Sequence, residues 1–349
     1  MPEIYYLIDD FKAFVEKAKA EGKREAFERY YLMPNKSLLT LLLNQKFLRK
    51  KDIFLVLDET DLEFYRRLIK KLESLGYPER AESTVNRAET LLGRVIPKNI
   101  ILLFTLGGEE GITIYENGVP NIYVGLDYLQ DNEIYPKSDL GFWVKSQSRL
   151  KDKARGNFVT QPYMTNTVRS KIDDNAVFQD ESAILNSAKA EFGIYFDLVL
   201  AHELGHAGRD TIPGVMEVYG GSIKMGHSEL LSVTPFEEHV VGEGMATYFS
   251  EAIYPNNSPM DYLFYEPWEY KWCQSHESVI WNNFQKARGT RGNLSRFYQA
   301  GSLGQGSPGR TDYYLGYRAV KEALTKYPFN EVLGMEASKV ISFFKPRPG

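Results

Sequence analysis

Cysteine is almost absent: Cys273 is the single one in 349 residues, so no intrachain disulfide and no cysteine-based zinc cluster can form. Long apolar runs are missing too, and none approaches the roughly 20 residues that a bilayer span requires. The opening MPEIYYLIDD lacks a basic region followed by an apolar one, so it does not read as a secretory signal. Nor is there an excess of charge of one sign. The formal net charge is -4, which gives no electrostatic reason to expect a nucleic-acid partner. The short basic runs KFLRKK and RRLIKK are broken by apolar residues at helical spacing and read as solvated helix faces. These absences predict a soluble, cytoplasmic protein whose partners include neither nucleic acid nor membrane, with export by a signal-independent route left open. They do not set the oligomeric state.

What is present fits an ordinary globular chain, 43% hydrophobic and 25% charged, and at 40.0 kDa it is long enough for two subdomains. Residues 1–95 read as a helical accessory region, with apolar residues three and four apart through DDFKAFVEKAKAEGKREAFERYYL and LEFYRRLIKKLESLGYPERAE. Residues 96–349 read as a second domain. Its sheet is expected at about 97–128, as short antiparallel strands at 99–106, 111–115 and 121–126 with a hairpin at Asn117-Gly118. A loop-rich insertion follows at about 129–180, able to wall or cover a cleft or to be a plain surface insertion. Helices resume over about 181–345. Strands and helices are segregated along the chain, so the fold class expected is α+β.

One stretch carries recognisable chemistry. FDLVLAHELGHAGRD contains HELGH, and His202 and His206, four apart on a helix, share one face. Two imidazoles so placed can reach one zinc ion at roughly 2.0–2.1 Å. Glu203, beside the first, could take a proton from a metal-bound water. The bland alternative is an amphipathic helix with two surface histidines, but only five histidines occur in the chain.

A third ligand is required. In the extended pattern a glycine and a third histidine follow in fixed register; here Gly208 comes one position early and Ile212 stands in the histidine's place. Asp210 is four residues past His206, where one helix would have to supply three ligands. Glu243, in FEEHVVGEGMATYFSEAIY, is the better candidate, because small residues around it let a second helix approach. Glu237, Glu238 and His239 are weaker alternatives, and Thr247 is a candidate to support Glu243. The string GQGSPG from Gly304 matches a dinucleotide fingerprint by letters only, with no strand expected before it, so no cofactor site is assigned there.

His202, Glu203, His206 and Glu243, with EGMATYF around the last, resemble the gluzincin metallopeptidases, and predicted bacterial zinc-dependent proteases of unassigned substrate in particular. TDYYLGYRAVKEAL resembles the segment in which aminopeptidase-like gluzincins hold an oxyanion-stabilising tyrosine; Tyr313 occupies that position, with Tyr314 and Tyr317 as near alternatives. The exopeptidase motif of that branch is missing ahead of HELGH. The resemblance implies a zincin-like domain that hydrolyses peptide bonds, with one Zn2+ per chain on His202, His206 and Glu243. It also implies Glu203 as general base, Tyr313 beside the oxyanion, endopeptidase action, and a peptide or protein as substrate. Two alternatives stand beside it: a zinc hydrolase of a small-molecule amide or ester, and a non-catalytic metal-binding regulatory protein.

Overall fold

The computed structural model describes residues 3–45, 50–96, 98–106, 110–128, 194–291, 297 and 300–347. The loop-rich insertion expected at 129–180, and the first part of the helical stretch that follows it, lie outside the described residues. The fold is α+β. Contacts divide the chain into two compact units, one holding the described residues of 3–83, 98–114 and 119–128, the other those of 84–96, 115–118 and 194–347.

In the first unit, helices α1 (Ile8–Glu21), α2 (Lys23–Phe27), α3 (Lys36–Gln45), α4 (Lys50–Glu59) and α5 (Leu62–Ser74) accompany most of a four-stranded sheet. The strands are β1 (Glu3–Tyr6), β2 (Asn99–Leu103), β3 (Gly111–Glu116) and β4 (Val119–Gly125), in the order β1-β2-β4-β3. The expectation of an antiparallel sheet needs correction: β2 pairs in parallel with both β1, Ile4 opposite Ile100, and β4, Ile100 opposite Ile122. Successive residues of a strand point to opposite faces, and Ile100, Ile101 and Leu102 are all fully buried, so β2 is covered on both faces, as parallel strands usually are. β1 was missed because EIYY is short and its partner lies far along the chain. The hairpin does form at Asn117-Gly118, with φ of 52° and 84°, the left-handed pair that a tight turn of this hand requires.

The apolar stripe of α1 is buried through Phe11, Phe14, Val15 and Ala18. Phe11 packs at ring-centroid distances of 4.5 Å from Phe104 and 5.0 Å from Tyr31. Tyr31 then closes the strand end, its hydroxyl donating to the Phe104 carbonyl at 2.9 Å and accepting from the Phe104 N–H at 3.1 Å.

Helix α6 (Tyr77–Leu92) runs from the first unit into the second. The second unit is built on three helices, α7 (Tyr195–Asp210), α9 (Phe236–Ile253) and, later in the chain, α13 (Thr311–Leu324). Between and after them come α8 (His227–Val233), α10 (Pro259–Leu263), α11 (Pro267–Ser275), α12 (Glu277–Ala287), α14 (Phe329–Leu333) and α15 (Ala337–Ser342). Helix α9 buries apolar residues all round its axis, among them Phe236, Val240, Val241, Met245 and Phe249, as a central helix must.

Glycines set how closely its neighbours come. A Cβ on Gly205 of α7 would lie 2.7 Å from the Ala246 Cα, and one on Gly244 of α9 would lie 2.0 Å from the Gly316 carbonyl carbon of α13. Both crossings are therefore backbone against backbone. Arg209, fully buried at the end of α7, ties the same helices by charge. Its Nε and Nη2 donate to the Glu238 carboxylate at 2.6 and 2.9 Å, and its guanidinium also reaches the carbonyls of Leu333 and Met335 at 2.6 and 3.0 Å.

Candidate metal centre

The crossing at Gly205 faces HELGH with the middle of α9. His202 Nε2 lies 3.2 Å from Glu243 Oε2, His206 Nε2 lies 3.4 Å from the same oxygen, and the two imidazole nitrogens are 3.2 Å apart. The three donors thus form a nearly equilateral triangle. Ligands about 2.0–2.1 Å from a tetrahedral zinc are separated by about 3.3–3.4 Å, so the triangle has the size of one face of that tetrahedron. His202, His206 and Glu243 form the one group of three or more candidate ligands found among the described residues. The donor set, two imidazoles and a carboxylate, also suits zinc. A fourth direction is left over for water or another donor.

The same contacts can be satisfied by a proton instead. Burial works against a charge on His206, but the facing Glu243 carboxylate outweighs it and holds the imidazole pKa up at about 9. Burial lowers that of His202, so the neighbouring ring is the neutral one. His202 Nδ1 is buried with no hydrogen-bond partner, so that side of the ring is held by packing. It stacks on Tyr313 at 5.7 Å and 7° and meets the Phe264 ring edge-on at 5.8 Å.

The alternatives weighed from sequence are drawn off elsewhere. Asp210 accepts a hydrogen bond from the buried Tyr115 hydroxyl at 2.5 Å. Glu237 binds Arg288 and the Gly289 N–H, each at 3.0 Å, and Glu238 holds Arg209. Thr247 is buried, but its hydroxyl has no hydrogen-bond partner and so gives Glu243 no support. Of the three tyrosines, Tyr313 is the one beside the cluster; Tyr314 donates to Glu277 at 2.6 Å and Tyr317 to Glu251 at 2.8 Å. Glu203 is buried next to His202 on α7.

Sequence reasoning passed over two neighbours. Asp312, one residue before Tyr313 and fully buried, accepts from His239 Nε2 at 3.1 Å. Arg310 precedes α13 in the left-handed region, φ 52°, with its guanidinium 5.7 Å over the Tyr313 ring. The only sequence signal for the first was His239 standing four residues before Glu243 on one helix face. GQGSPG closes as a tight loop, Ser307 N–H donating to the Gly304 carbonyl at 3.0 Å, and every described strand ends before it.

Residues 213–341 match the family model described as Gliding motility protein GldB. The match spans a little over a third of the chain, from the segment after α7 into α15, and so includes Glu243 and Tyr313 but neither histidine of HELGH. No curated protein and no solved structure matches.

The match overturns the resemblance to gluzincin metallopeptidases. With it go the zinc-dependent peptidase, its hydrolase alternative and the regulatory alternative as descriptions of function, and the expectation that the chain is an enzyme. The family model's label also marks a lipoprotein family, which overturns the expectation of a cytoplasmic protein. The physical reason for the error is specific. Two histidines and a glutamate at these spacings can offer donors to one ion, and they do not prescribe any chemistry beside it. The roles expected of Glu203 as base and Tyr313 at an oxyanion were tied to the peptidase reading. Among the described residues no helix is long and apolar enough to cross a membrane.

Proposed function

We propose that this chain is a gliding-motility component similar to Gliding motility protein GldB, and that it carries one zinc ion on His202, His206 and Glu243. The observation that carries the motility reading is the family match over 213–341, which takes in α9 and α13 and thus most of the core of the second unit. The zinc reading is supported by the donor triangle, with edges of 3.2–3.4 Å. In this role the ion would tie α7 to α9, adding its binding free energy to the stability of the folded second unit.

Two measurements test the two halves separately. Elemental analysis of the full-length protein, purified with metal available, is expected to find close to one zinc per chain, and much less in His206→Ala. No zinc in the wild type would remove the metal half. For motility, the gene is expressed in a gliding bacterium deleted for its own GldB-like gene, and colony spreading is scored. Restored spreading supports the reading; a correctly expressed protein that never restores it, in any gliding host tried, counts against it.

A further inference from the structure

The two oxygens of Glu243 face in different directions. Oε2 is the one that meets both HELGH histidines, whereas Oε1 points to His239 Nε2 at 3.8 Å. His239 in turn holds Asp312 Oδ2 at 3.1 Å. We propose that Asp312 and His239 form a clamp behind the metal centre that fixes Glu243 with one oxygen turned to the metal, so that both are positioning residues for metal affinity. This inference rests on reading the three-residue cluster as a metal site.

The helix geometry makes the clamp possible. His239 and Glu243 are four apart on α9 and share a face. Asp312 sits in the first turn of α13, and the backbone contact of Gly244 with Gly316 brings that turn alongside. Packing alone accounts poorly for the pair. Asp312 is fully buried and its Oδ1 has no hydrogen-bond partner, so the carboxylate is desolvated for the contact it makes. An apolar residue of similar size would fill this space at lower cost, as is common for buried ion pairs. His239 Nε2 lies between two buried carboxylates, as no apolar side chain could: it donates to Asp312 and stands 3.8 Å from the far oxygen of Glu243, leaving the near one to the metal.

The test uses full-length protein stripped by a chelator and then titrated with Zn2+ against a chromophoric competitor, comparing wild type, His239→Gln and the isosteric Asp312→Asn. Each variant is expected to bind zinc about 10–100-fold more weakly, the usual range for groups that orient a metal ligand. The visible absorption of the Co2+-loaded protein is expected to shift in both, since the carboxylate would turn. Thermal unfolding of the metal-free forms is read in parallel. A pair that merely packs the helices would lower the metal-free stability and leave zinc affinity and cobalt spectrum at their wild-type values; that result overturns the clamp while sparing the metal site. A wild type that takes up no zinc overturns the metal reading and the clamp with it.

Discussion

Gly205 tests whether the helix crossing builds the metal centre. A Cβ there would stand 2.7 Å from the Ala246 Cα and 3.0 Å from the Phe249 Cβ, and ordinary contact begins near 3.4 Å. Because the nearer obstacle is backbone, no rotamer change relieves it, and Gly205→Ala must part α7 from α9 by about 0.7 Å. That movement falls on the triangle itself. His202 and His206 flank Gly205 on α7, and Glu243 is three residues before Ala246 on α9. Metal–ligand distances tolerate about 0.2 Å, so zinc affinity is expected to drop by about tenfold or more. On stability two effects oppose each other: overpacking costs about 1–3 kcal/mol, while alanine in place of a mid-helix glycine returns about 1 kcal/mol. The metal-free variant should therefore range from unchanged to about 2 kcal/mol less stable in urea unfolding. Gly226, whose added Cβ would meet nothing within 4 Å, supplies the control, and Gly226→Ala should bind zinc like the wild type. A Gly205→Ala protein that binds zinc normally and gains about 1 kcal/mol would refute the crossing as the source of the geometry.

Three further outcomes follow from charges in the second unit. Arg209→Met strands the buried Glu238 carboxylate and strips donors from two carbonyls, and should cost about 3–5 kcal/mol in urea unfolding, with most of it recovered in Arg209→Met/Glu238→Leu; a loss under about 1 kcal/mol would contradict the buried pairing. The raised pKa of His206, about 9, means that below that pH zinc must displace a proton from the metal-free protein. Apparent zinc affinity should then climb about tenfold per pH unit between pH 7 and 8.5 and level off above 9; a flat profile would mean that His206 is already neutral. In the metal-free protein the His206–Glu243 pair contributes stability that is fully present below the unfolded histidine's pKa near 6.5 and is lost as pH rises through about 9.

Much of the fold was legible where the signal is local. Asn117-Gly118 specifies a turn by the φ values its residues accept, and the hairpin is there. Segregated strands and helices give α+β. The parallel pairing of β1 with β2 was not legible, because four residues at 3–6 carry too little periodicity to announce a partner near residue 100. The candidate site divides in the same way. His202 and His206 are related by one helix turn, which the sequence displays directly, and Glu243 could be picked out through its small neighbours. The His239–Asp312 contact joins residues 73 positions apart, and no periodicity within either helix encodes it. It depends on two glycines, 244 and 316, meeting without side chains.

The likeness to Gliding motility protein GldB was least legible, for a reason that the boundaries of the family match make concrete. The match begins after α7, so whatever 213–341 has in common with Gliding motility protein GldB is specified without HELGH. The donors, by contrast, come from both sides of that boundary: two from α7, outside it, and one from α9, inside. HELGH thus lies in a part of the chain that the match does not cover. If the metal centre were intrinsic to the shared portion, its ligands would have to lie within 213–341, and only Glu243 does. The zinc proposed here is thus a property of this chain's α7 added to an α9 that the family match already covers, so replacing His202 and His206 together should abolish zinc binding while leaving α9 and its packing on α13 in place. A double variant that unfolds even with apolar replacements of matched size would instead make α7 and its metal part of what holds the matched region together.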